Sequence, residues 1–142
     1  SLSPPDEGTS TIQIKLIVTK DCQIITTTNV DFGSSAFVDQ FPIKANNTVT
    51  LTCSAQTPYK AYFTNGDNYS DPWRQMKSSG NNVLQYNIYY PDNTTVWNSL
   101  SKLSGSGNGL SQSLTYSAII NPNQPAQPAG SYSDTVQFVV EY

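Results

Sequence analysis

At 142 residues the chain has the length of one domain with room for a real core. Only 12% of its residues are charged, and the surface is built instead from Ser, Thr, Asn and Gln, which suits an extracellular all-β domain better than a cytosolic helical one. The net charge is −3 and the seven basic residues (Lys15, Lys20, Lys44, Lys60, Arg74, Lys77, Lys102) are scattered, which argues against nucleic acid as a partner.

A polar leader, Ser1–Ser10 with Pro4-Pro5, opens the chain. The next segment, Thr11–Thr19, alternates Ile12, Ile14, Leu16 and Val18 with Gln13, Lys15, Ile17 and Thr19, the period-two pattern of a strand with one buried face. A Thr-rich stretch follows, Gln23–Val30, ending at Asp31-Phe32-Gly33. Thr48–Ser54 places Val49, Leu51 and Cys53 inward, and Tyr59–Phe63 precedes a turn at Asn65-Gly66-Asp67. Val83–Tyr90 sets Leu84, Tyr86, Ile88 and Tyr90 on one face. Ser101–Asn108 has the composition of a flexible loop, and Leu114–Ile120 is a further strand. Asn121–Gly130 carries three prolines and reads as a rigid extended crossing. Ser133–Tyr142 is the strongest strand, with Val136, Phe138, Val140 and Tyr142 on one face. No segment sustains a helical period with caps, so short strands separated by Gly, Pro and Asn turns predict a β-sandwich. No apolar run is long enough to cross a membrane.

Cys22 and Cys53 are the whole thiol inventory, and one intramolecular disulfide is expected between them, the alternative being two buried thiols. The bridge implies an oxidising compartment and closes a loop worth about 3.5–4 kcal/mol in the chain-entropy account. There is no histidine, which removes the usual general base, the Ser-His and Cys-His nucleophile pairs and the commonest metal ligand. Nothing singles out two of the ten acidic residues as a catalytic pair. Asn65, Asp67, Asn68 and Asp71 lack the spacing and terminal Glu of an EF-hand loop. No enzyme activity, catalytic residue, metal or cofactor is expected.

Several segments, taken in order, resemble one family. Cys22 is followed by Val30-Asp31-Phe32-Gly33, then Val49-Thr50-Leu51-Thr52-Cys53, Pro58-Tyr59 and Asn65-Gly66. Met76 precedes Leu84-Gln85-Tyr86-Asn87-Ile88-Tyr89, Trp97 and Gly107-Asn108-Gly109, and the chain closes on Gly130-Ser-Tyr-Ser-Asp-Thr-Val-Gln-Phe-Val-Val-Glu-Tyr142. The set is similar to the spore coat protein U domain, the pilin domain of archaic (Csu-type) chaperone–usher pili, over Thr11 to Tyr142. The resemblance implies an incomplete immunoglobulin-like β-sandwich completed by a donated strand. It implies a structural subunit of a surface pilus, with a periplasmic pilus chaperone, an outer-membrane usher and neighbouring pilus subunits as partners. Its location would be the periplasm during assembly and then the cell-surface pilus.

On this reading residues 1–10 are a leader and 11–142 the pilin domain. Within it, Ile12, Ile14, Leu16 and Val18 (segment 11–18) form the candidate donor strand, and Val136, Phe138, Val140 and Tyr142 the acceptor groove that also binds chaperone. The terminal strand is expected to have an edge its own chain does not cover. The competing reading of Ile12–Val18 is an ordinary first strand of its own domain. A tip adhesin domain is the alternative function, reading a surface or host ligand through Tyr59, Tyr69, Trp73, Tyr89, Tyr90 and Trp97. A secreted carbohydrate-binding module would use Trp73 and Trp97 as stacking platforms.

Overall fold

The computed structural model describes residues 10–16, 22–26, 30–31 and 44–142. The regular elements among them are all strands: β1 (Ser10–Leu16), β2 (Cys22–Thr26), β3 (Val30–Asp31), β4 (Lys44–Cys53), β5 (Pro58–Phe63), β6 (Arg74–Lys77), β7 (Val83–Tyr89), β8 (Leu103–Ser106), β9 (Ser111–Ile120) and β10 (Tyr132–Glu141). They hydrogen-bond in the order β2-β4-β9-β7-β6-β10-β1-β3, with β5 pairing both β10 and β8. β6 makes the corner. It pairs with β7 along its length but meets β10 only through Lys77 and Ser133. One layer is therefore β2-β4-β9-β7 and the other β8-β5-β10-β1-β3.

The alternating sequence pattern becomes the core. Tyr132, Val136, Phe138 and Val140 of β10 are buried, with Ala61 and Phe63 of β5 beside them and Val49, Leu51, Tyr116, Ala118, Leu84, Tyr86 and Ile88 opposite. Phe63 is the hub, its ring 4.8 Å from Tyr116 across the layers, 4.9 Å from Phe138 and 5.1 Å from Trp97, edge-on or tilted in each case. Cys22 lies opposite Cys53 in the β2–β4 ladder, and the two form a disulfide.

Several strands depart from the sequence expectations. Ser101–Asn108, expected to be a flexible loop, contains β8, because Gly105 leaves room for the Tyr59 ring to lie against the strand. β6, not foreseen, is a four-residue strand whose alternation, Arg74 and Met76 inward, is too short to read. β4 starts at Lys44 rather than Thr48, because β9 gives it partners as far as Ile119. The proline-rich crossing 121–130 forms no strand. Gln124 instead imitates one, accepting from the Gln85 amide at 2.8 Å and donating to its carbonyl at 3.0 Å, while the Asn121 amide donates to the same carbonyl.

Candidate functional site: the groove between β10 and β3

β10 has two edges with different partners. On one, Phe138–Glu141 pairs antiparallel with Lys60–Phe63 of β5, and Ser133 with Lys77 of β6. On the other, Tyr132–Phe138 pairs with β1, from Ser10 opposite Tyr132 to Leu16 opposite Phe138. This ladder is parallel, and every other strand pair in the described sheet is antiparallel. β1 in turn pairs with β3 through Thr11–Asp31 and Ile12–Val30. It fills a slot between two strands that do not touch each other in the ladder.

The expectation that the last strand keeps an edge its own chain leaves bare is therefore corrected: segments of the same chain flank β10 on both sides. The physical reason is in the sequence. Thr11–Leu16 carries the alternation the slot requires, and a tethered segment reaches the slot at a high effective concentration. Ile12 is fully buried and Ile14 nearly so, with Gln13 and Lys15 exposed. Burying those two isoleucines contributes about 3–6 kcal/mol before ordering costs. Leu16 is placed by its backbone pairing with Phe138, and Val18 lies outside the described residues. On the acceptor side Val136, Phe138 and Val140 are buried as expected, but Tyr142 is 49% exposed and does not line the slot's floor.

Two charged residues in this region escaped the sequence reading. Asp134, opposite Ile12, is buried, and its carboxylate accepts from the Tyr86 hydroxyl at 2.5 Å, the Asp67 amide at 3.0 Å and the Asn68 side-chain amide at 3.3 Å. Burial pushes its pKa up, against the pull of those hydrogen bonds. Gly66, at φ +82°, makes the approach possible, since a Cβ there would collide with the Asp134 carboxylate. The Asn65–Asp71 segment thus donates to a buried acid, and among the described residues no group of three carboxylate, His or Cys side chains is placed to hold a metal ion. Arg74 is fully buried. Its guanidinium donates to the carbonyls of Thr64, Phe63 and Trp97 at 2.9–3.0 Å. Burial lowers its pKa to about 10, with Tyr86 and Asp134 opposing that shift. An alternating pattern that breaks at one polar residue, as Tyr132-Ser-Asp134-Thr-Val136 does, was the available signal for Asp134.

Two of the six candidate adhesive aromatics are buried. Trp97 is 1% exposed, donates its indole N–H to the Ala61 carbonyl at 2.8 Å and stacks on Tyr90 at 4.5 Å. Tyr59 is buried against Gly105. Those two are corrected from candidate surface residues to core. Trp73, Tyr89 and Tyr90 are half-buried, and Tyr69, at 38% exposure, donates to Asp71 at 2.7 Å. Trp73 and Trp97 therefore do not present a pair of open stacking platforms.

A family model described as the Spore Coat Protein U domain matches residues 8–139. Among solved structures, the chain is similar to one in the crystal structure of the CsuC–CsuE chaperone–tip adhesion subunit pre-assembly complex from archaic chaperone-usher Csu pili of Acinetobacter baumannii. The identity is 27% and the TM-score 0.67, and the match covers 86% of this chain and 39% of that one. The chain thus spans about two fifths of the length of that relative. No curated protein matches.

Proposed function

The chain belongs to the Spore Coat Protein U domain family, and from that premise we propose that it is a structural subunit of a surface pilus assembled by the chaperone–usher pathway. One observation carries the reading: the long edge of β10 from Tyr132 to Phe138 is closed by a single strand, β1, which enters between β10 and β3 and has ladders to these two strands alone among the described ones. Without that strand, a row of backbone N–H and C=O groups and an apolar slot would be open, and both are satisfied by any extended segment with alternating apolar residues. Strand addition of this kind is the mode known for chaperone–pilin complexes.

A periplasmic chaperone strand fills the slot first, and at the outer-membrane usher the N-terminal strand of the next subunit replaces it. Ile12, Ile14, Leu16 and Val18 are the donated side chains, and Val136, Phe138 and Val140 receive them. No bond-making chemistry is involved. Burial of alternate side chains and completion of the ladder supply the free energy. A head-to-tail contact that does not close on itself gives a filament, displayed on the cell surface.

The test is co-expression with a periplasmic chaperone of this pathway, followed by size-exclusion chromatography, for the full chain and for a form lacking residues 11–18. The shortened form is expected to leave with the chaperone and to accept a neighbour's strand, yet to donate none. Polymers built from the shortened form alone would overturn the donor assignment.

A further inference from the structure

The parallel direction of β1 has a cause in the chain itself. β2 is anchored, since Cys22 is bonded to Cys53 at the end of β4. That end lies at the C-terminal end of β10. The Cys53 carbonyl accepts from the Gly109 amide, the Gly107 amide donates to the Thr57 carbonyl, Pro58 pairs with Ser106, and Lys60 pairs with Glu141. From Leu16 to Cys22 there are six Cα steps, a reach of about 20 Å at full extension. In the observed direction Leu16 stands level with Phe138, near the anchored end. Reversed over the same stretch, Leu16 would stand level with Tyr132, about 20 Å further from the anchor at the rise of a strand, with roughly 10 Å between layers still to cross. The tether cannot span that.

We propose that β1 is a tethered self-plug: the short link to the disulfide-anchored β2 lets the strand enter its own groove only parallel to β10, so that a lone subunit closes itself and stays latent until another strand displaces β1. The second half rests on the pilus-subunit reading above, and the first half does not. A strand supplied by another molecule has no such tether and is free to enter in either direction. Self-closure and closure by a partner therefore differ in a property that can be read directly, the direction of the strand beside β10.

Lys15 and Gln137 face solvent opposite each other in the observed ladder, and Ser133, also exposed, is the residue Lys15 would face in the reversed one. In the full chain at low micromolar concentration, the Lys15→Cys/Gln137→Cys pair is expected to form a disulfide within one molecule. The Lys15→Cys/Ser133→Cys pair is expected not to. Stapled through the first pair, the subunit should fail to join polymers, and mild reduction should restore joining. A bridge within single molecules from the Ser133 pair, or from the Gln137 pair only between molecules, overturns the plug. A stapled subunit that polymerises with its bridge intact overturns latency while leaving the plug. If the staple forms but the unstapled, chaperone-delivered chain never polymerises, the pilus reading fails and the self-plug stands. Hydrogen exchange on the unsubstituted monomer is the check against misfolded variants: the amides from Ile12 to Leu16 should be protected to a degree independent of concentration, and free exchange there in dilute monomer would overturn the proposal.

Discussion

Asp134 and Asp92 are acids displaced in opposite directions. Burial raises the Asp134 pKa above its ordinary 3.8, against the hydrogen bonds from Tyr86 and Asp67 that lower it. A raised folded value means the folded state holds its proton longer than the unfolded chain does. Stability associated with this group is then complete below about 3.8 and is lost as pH rises through the folded value. The stability difference between the natural chain and the Asp134→Asn variant should fall over that window and be flat above it, as read by denaturant titration at several pH values. Asp92 is exposed and is held down to about 2 by the Thr95 hydroxyl and the amides of Thr94 and Thr95. A carboxyl-carbon NMR titration should find Asp92 titrating well before Asp134. Trp97 offers a second prediction. Because its ring is packed among Phe63, Tyr90 and Phe138 and its N–H is bonded, Trp97→Ala should cost about 3–5 kcal/mol of stability. Surface adhesion, measured per folded molecule, should not change.

Strands here are held by what lies at their ends as much as by their ladders. The Cys22–Cys53 bridge closes a separation of 31 residues. Replacing both cysteines with serine should cost about 3.5–4 kcal/mol in thermal or denaturant unfolding. Gly107 sits against the same end of β4, where a Cβ would collide with the Ser54 carbonyl and press on Cys53. Gly107 was visible in the sequence only as part of a loop-like Gly-Asn-Gly run, and its role is a close approach that no local pattern encodes. The same limit explains β8. Leu103–Ser106 has the composition of a linker, and it becomes a strand because β5 offers it an edge and Tyr59 needs a residue without a side chain beneath it. Long alternating runs such as β10 were legible because their periodicity is intrinsic, whereas short strands borrow their conformation from a neighbour.

For the molecule as a whole, β1 is an element whose ladders run only to β10 and to two residues of β3, so its removal leaves every described ladder but these two intact, and of the described strands β3 alone is left without a partner. Ile14→Asp would place a charge in the slot, and the strand can leave rather than bury it, so the loss of stability is bounded by what β1 contributes. We expect a lower melting temperature for the free subunit, new binding of a hydrophobic dye at the emptied groove, and recovery of the melting temperature when a chaperone fills the slot. A variant that unfolds outright, with no dye-binding folded form, would mean that β1 belongs to the body of the sandwich.

The order of residues by itself determined the all-β class, the two strongest strands and the single possible disulfide, because period-two alternation and a count of two cysteines are local facts. Only the tertiary structure decided that the donor-like strand lies in its own chain's groove, that Trp97 and Tyr59 are core, and that Asp134 and Arg74 are buried. Each of these depends on which distant segment arrives alongside, and whether a groove is filled from within is settled by the length of a tether and the position of its anchor, quantities that exist only once the chain has folded.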